Sequence, residues 1–108
     1  MSKQATSPRK GSPDKLRNTS NIMRALAHPL RIRMLQFIDS KGTAFVNEIF
    51  EAMGIEQSIA SQHLRILRQS NLVFTRRDQK FVHYYINYPK MLEAARAAGI
   101  IARFVDAQ

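Results

Sequence analysis

The sequence predicts a mainly α fold carrying one β-hairpin, with about five helices and a dimeric assembly. Three observations predict it. Apolar residues recur at helical spacing in five segments, two of which meet at a tight turn on Gly54. The runs Leu72–Arg76 and Lys80–Ile86 are rich in β-branched and aromatic residues, which suit a pleated, half-buried surface. The final segment, from Met91 onward, is apolar around most of its circumference, more than one small core can cover.

In chain order, residues 1–18 combine Ser, Pro, Lys, Arg and Gly with almost no apolar content. They are expected to form a disordered basic tail, leaving one domain over 19–108. Thr19, Ser20 and Asn21 offer caps for a short helix holding Ile22, Met23, Leu26 and Ala27. Pro29 opens a second helix with Leu30, Met34, Leu35, Phe37 and Ile38, ending near Gly42. Thr43-Ala44-Phe45 reads as a brief extended link. Asn47 is the expected cap of a third helix over Glu48–Met53, with Ile49, Phe50 and Met53 inward. After Gly54 a fourth helix runs from about Gln57 to Gln69, ended by Asn71. The two β runs are joined by Arg77-Asp78-Gln79 as a hairpin. Asn87 or Tyr88 caps a last helix opened by Pro89. Helix, tight turn, helix and hairpin together form the winged helix-turn-helix pattern with a two-stranded wing.

Composition bounds the function. At 108 residues and 44% hydrophobic content the chain closes one core, and it has no cysteine for disulfide, thiolate or redox chemistry. No run approaches the 18 or so apolar residues of a membrane span, and the first twenty residues lack the apolar stretch of a signal peptide. A cytoplasmic protein with no membrane partner is expected. The net charge of +9 is unevenly placed: residues 1–20 and residues 57–88 each carry +4, while residues 21–56 are neutral. Such a distribution favours a polyanionic partner over a generically basic soluble domain.

The fourth helix carries the sharpest signal. On a wheel of about 100° per residue, Ile59, Ala60, His63, Leu64, Ile66 and Leu67 fill an arc of roughly 160°. The opposite arc holds Gln57, Ser58, Ser61, Gln62, Arg65, Arg68 and Gln69, with no acid among them. Ser and Gln both donate and accept, which suits base edges in a major groove wide enough for a helix. Gln57, Ser58, Ser61 and Gln62 are therefore the candidate base readers. Arg65 and Arg68, with Arg76, Arg77 and Lys80 at the hairpin tip, are candidates for the phosphate backbone or a flanking minor groove. Met91, Leu92, Ala95, Ala98, Ile101 and Phe104 are the candidate dimer contacts, pairing two copies so that two reading helices lie about one DNA turn apart.

The motifs RALAHPLRIRML (24–35), VNEIFEAMGIEQSIASQHLRILRQSNLV (46–73) and RRDQKFVHYYI (76–86) resemble the ArsR/SmtB family of bacterial winged-helix repressors. The most specific part is Ser61, His63, Leu64 and Leu67 followed by Leu72-Val73. The resemblance implies a dimeric repressor whose operator is read by the helix carrying Gln57, Ser58, Ser61 and Gln62. The family's metal-sensing positions depart from its pattern. The helix matching Glu48–Met53 has no Cys, and from Tyr88 onward there is no His and only Glu93 and Asp106 as acids. No metal, cofactor or small-molecule effector is assigned; an organic ligand at the dimer interface and constitutive repression both stay open. Family glycines are replaced by Asn71 after the reading helix and by Gln79 in the wing.

The remaining polar residues carry no chemistry of their own. His28, His63 and His83 show no local metal-ligand spacing, and His63 lies in the apolar arc as a hydrogen-bonded structural residue. Glu48 and Glu51 read as a solvated face, and no nucleophile–base constellation supports an enzyme. The alternative class is a winged-helix protein–protein module with only non-specific affinity for DNA.

Overall fold

The computed structural model describes residues 21–97, and the first junction in it is made by His28 and Pro29. Residues 21–26 form α1 and Pro29–Lys41 form α2. Pro29 occupies the first helical position, where its missing N–H costs nothing, and the His28 Nδ1 accepts from the Leu30 N–H at 3.2 Å. The tail over 1–18 and the caps Thr19 and Ser20 lie outside the described residues.

From α2 the chain turns at Gly42, whose φ of 85° favours glycine, into a two-residue strand β1, Ala44–Phe45. Helix α3, Val46–Met53, follows without a break. Asn47 does not cap it. The helix begins at Val46, two residues before the expected Glu48, and the Glu48 carboxylate accepts from the Phe45 N–H at 3.1 Å while taking Lys41 at 3.0 Å. A carboxylate three residues into the helix reaches back to the first free N–H, which a short amide at Asn47 cannot do. Gly54 (φ 70°) closes α3 in the left-handed conformation, and the Ile55 N–H bonds the Phe50 carbonyl at 3.1 Å.

Helix α4 spans Gln57–Gln69, and strands β2, Val73–Asp78, and β3, Phe81–Ile86, form the wing. The sheet has three antiparallel strands in the order β1-β3-β2. Ala44 and Phe45 of the expected extended link thus form a third strand, with Ala44 opposite Tyr84 and Phe45 opposite His83. Two residues are too few for an alternating pattern to show, and their partner lies some forty positions away. Helix α5 starts at Tyr88 and is described to Ala97. Asn87 is its cap: Oδ1 accepts from the Lys90 N–H at 3.3 Å, and Nδ2 donates to the Asn71 carbonyl at 2.9 Å.

Met34 and Ile38 of α2, Ile49 of α3, Leu64 and Leu67 of α4, and Leu72 meet as fully buried side chains at the centre. Each such residue stabilises by about 2 kcal/mol through apolar burial. The core lies on one side of α4 and beneath one face of the sheet, so the opposite side of α4 and the wing tip stay open.

Two residues that are not glycine fall where glycine is favoured. Asn71 (φ 64°) and Gln79 (φ 58°) are the non-glycine residues with positive φ among those described. Asn tolerates this conformation because its short amide bonds locally, whereas Gln does not. Gln79→Gly is therefore expected to stabilise the fold by about 1 kcal/mol, and Asn71→Gly by less. Urea denaturation of the two variants checks the ranking.

Candidate nucleic-acid interface

Helix α4 buries Ala60, Leu64 and Leu67, which fall within about 60° of one another on the wheel. Gln57, Ser58, Ser61, Gln62, Arg65, Arg68 and Gln69 are all exposed. The acid-free arc is a free surface. Glu56 borders it at the cap position, where its side chain makes no capping bond. The apolar arc is narrower than predicted: Ile59 is 40% exposed and Ile66 37%. Helix α4 packs on α2, α3 and β2 along one side, and both isoleucines stand about 110–130° from its centre line. Ile66 borders a shallow depression with Asn21 and Arg24 of α1.

Arg65, Arg68 and Gln69 line a second depression along the exit of the helix. Burial raises the Tyr84 phenol above its ordinary pKa, and the nearby Arg68 charge partly opposes that rise.

The wing separates two arginines that are neighbours in sequence. Strand alternation places Arg77 with Val82, Thr75 and Tyr84 on the sheet face that continues into the core. Arg76 lies on the other face, across from His83 and beside Phe74 and Tyr85. Phe74 and Tyr85 stack at 5.1 Å and 10°, and the Arg76 guanidinium sits 5.7 Å and 5.9 Å from their centroids. Cation–π attraction fixes Arg76 on that aromatic pair. Arg77 and Lys80 are exposed at the tip.

On α5, Met91 packs against the core and Ala94 is fully buried within it, while Ala95 is half-buried. Leu92 points outward at 44% exposure, as does Tyr88 at 55%. Of the candidate dimer contacts, Ala98, Ile101 and Phe104 lie outside the described residues.

One buried charge escaped the sequence reading. Arg31 on α2 is 7% exposed, and its guanidinium joins three elements. Its Nε donates to the Ala25 carbonyl at 2.7 Å and one terminal nitrogen to the Arg24 carbonyl at 2.9 Å, closing the end of α1. The other terminal nitrogen lies 3.2 Å from Nδ1 of His63 on α4. The signal was available, because Arg31 stands three and four residues before the buried Met34 and Leu35.

A guanidinium only donates, so Nδ1 of His63 is unprotonated and the ring is neutral with its proton on Nε2. Burial lowers the His63 pKa first, followed by the charges of His28 and Arg31. The folded state therefore takes up this proton less readily than the unfolded chain. The stability it contributes is complete above about pH 6.5 and is lost as pH falls from there through the lowered folded value. Thermal melts between pH 5 and 7 are expected to show a steeper acid-side loss for the wild type than for His63→Gln, which accepts from Arg31 without titrating. Parallel curves would remove His63 as the cause.

His28 and His63 approach edge to face with centroids 4.7 Å apart. Each uses Nδ1 to accept a protein donor, and Arg31 opposes a cation between them. No group of three or more metal-ligating side chains occurs among the described residues, and no helix among them is long and apolar enough to cross a membrane.

Residues 28–75 match the model of the family described as "Bacterial regulatory protein, arsR family". The chain is 35% identical over 78 residues to the biofilm growth-associated repressor of Xylella fastidiosa, covering 72% of this chain and 68% of that one. It is 36% identical over 84 residues to a probable mercury resistance operon repressor of Streptomyces lividans, covering 78% and 66%. Among solved structures it superimposes at a TM-score of 0.66 and 25% identity on a homodimeric winged helix-turn-helix DNA-binding domain from Mycobacterium bovis. That match covers 91% of each chain.

Proposed function

The chain belongs to the arsR family of bacterial regulatory proteins, and from that premise we propose a homodimeric repressor that reads an inverted-repeat operator in double-stranded DNA. The observation that carries this reading is the fully exposed, acid-free face of α4. Gln57, Ser58, Ser61 and Gln62 offer neutral donors and acceptors to base edges in the major groove. Arg65 and Arg68 flank them toward the phosphates, where a carboxylate would be repelled. In the wing, Arg77 and Lys80 contact backbone at a flanking groove, while Arg76 braces the strand through Phe74 and Tyr85.

Dimerisation through α5, with Leu92 in the contact and Met91 supporting it from the core side, places two α4 helices on one face of the duplex. A cytoplasmic location follows from an operator as partner. Binding by neutral and cationic side chains needs no catalytic step.

Selection of bound duplexes from a random pool tests the reading. The expected product is an inverted repeat with half-sites about 10 base pairs apart, centre to centre, or a multiple of that. A pool that shows no enrichment overturns the repressor and leaves the protein–protein module.

A further inference from the structure

Ile59 is an anomaly at the reading end of α4. It is the third residue of the helix and stands 40% exposed. Ile66, the other exposed isoleucine of the helix, differs in setting. It lies seven residues further on, beside Asn21 and Arg24 of α1. Ile59 has exposed Ser58 before it and exposed Gln62 one turn along the same flank.

A β-branched apolar side chain gains nothing on an open helix surface, where Glu, Lys or Gln both favours the helix and keeps it soluble. In a major groove its value changes. The edges of the four bases offer one apolar group, the C5-methyl of thymine, and an aliphatic side chain recognises it by excluding water from both. Around the helix Ile59 stands about 60° beyond Gln62 and 100° beyond Ser58, so an aliphatic contact there extends the hydrogen-bonding face with an apolar edge. Gln62 carries the amide that matches adenine N6 and N7.

We propose that Ile59 is a specificity-determining residue that reads a thymine methyl in each operator half-site. The proposal rests on α4 being the DNA-reading helix. It adds an apolar reader that the Ser, Gln and Arg face does not contain.

The test uses the full chain and the duplex that the wild type itself enriches. Each thymine of a half-site is replaced in turn by deoxyuridine, which removes only the methyl group. One position per half-site is expected to weaken wild-type binding about fourfold, the worth of one buried methyl. Ile59→Ala is expected to bind thymine and deoxyuridine duplexes equally and to accept cytosine at that position during selection. Ile59→Val is expected to keep the preference. An Ile59→Ala protein that retains the wild-type thymine preference overturns the assignment while leaving the operator reading standing. A wild type that enriches no sequence overturns the reading and the inference together. Helicity is safe in these variants, since the position is exposed and Ala is the better helix former.

Discussion

Ser61→Glu is expected to fold, to dimerise and to lose specific operator binding by at least about a hundredfold. Ser61 is exposed at the middle of the acid-free face, one residue beyond the buried Ala60. Glutamate is a better helix former than serine and meets no core atom there, so stability should hold or rise slightly. At the DNA surface the same carboxylate faces the phosphate field and cannot donate to a base edge. A like-charge contact inside a closed interface costs several kcal/mol, enough for a loss of two orders of magnitude or more. Ser61→Ala separates the two effects, since it removes the hydroxyl without adding charge and should lose only about tenfold. Fluorescence anisotropy against the selected duplex reads affinity, and circular dichroism with sedimentation reads fold and assembly. Full retention of specific binding by folded Ser61→Glu would remove α4 from the reading role.

Much of this surface was legible because it depends on local periodicity. The apolar rows of α2 and α4, the glycine at Gly54 and the β-branched runs of the wing each act over a few residues. Distant partners were less legible. β1 exists because Ala44 and Phe45 find Tyr84 and His83, and nothing within two residues announces that pairing. Ile59 and Ile66 look inward on a wheel, yet the width of the covered arc is decided by which neighbours α4 has. Arg76 and Arg77 form one basic tip in sequence; strand alternation turns them to opposite faces and stacks Arg76 on Phe74 and Tyr85. Asn47 fits a cap by residue type, but the helix already starts at Val46, and the Glu48 carboxylate that takes both the Phe45 N–H and Lys41 closes that start.

The second large effect belongs to Arg31, and it links the stability of the fold to the aim of the reading helix. Its guanidinium accounts for two carbonyls at the end of α1 and contacts His63 on the buried flank of α4. A bond from a charged donor is worth about 1.5–3 kcal/mol, and the buried Ala25 carbonyl loses its partner if Arg31 is removed. Relief from burying a charge offsets part of that loss. Arg31→Met should therefore destabilise by about 2–3 kcal/mol, which lowers the melting temperature of a chain this size by roughly 10–20 °C. Arg31→Lys should recover little, because one ammonium cannot hold the planar geometry that serves two carbonyls and a ring nitrogen. Amide exchange is the sharper readout: residues 21–26 should lose protection before α2 or α4 does, since α1 is the element whose end Arg31 closes. His63 is freed in the same variants, so operator affinity measured well below the melting range should also fall, by less than for Ser61→Glu. An Arg31→Met protein as stable as the wild type, with α1 still protected, would show that the helix end is held by other contacts.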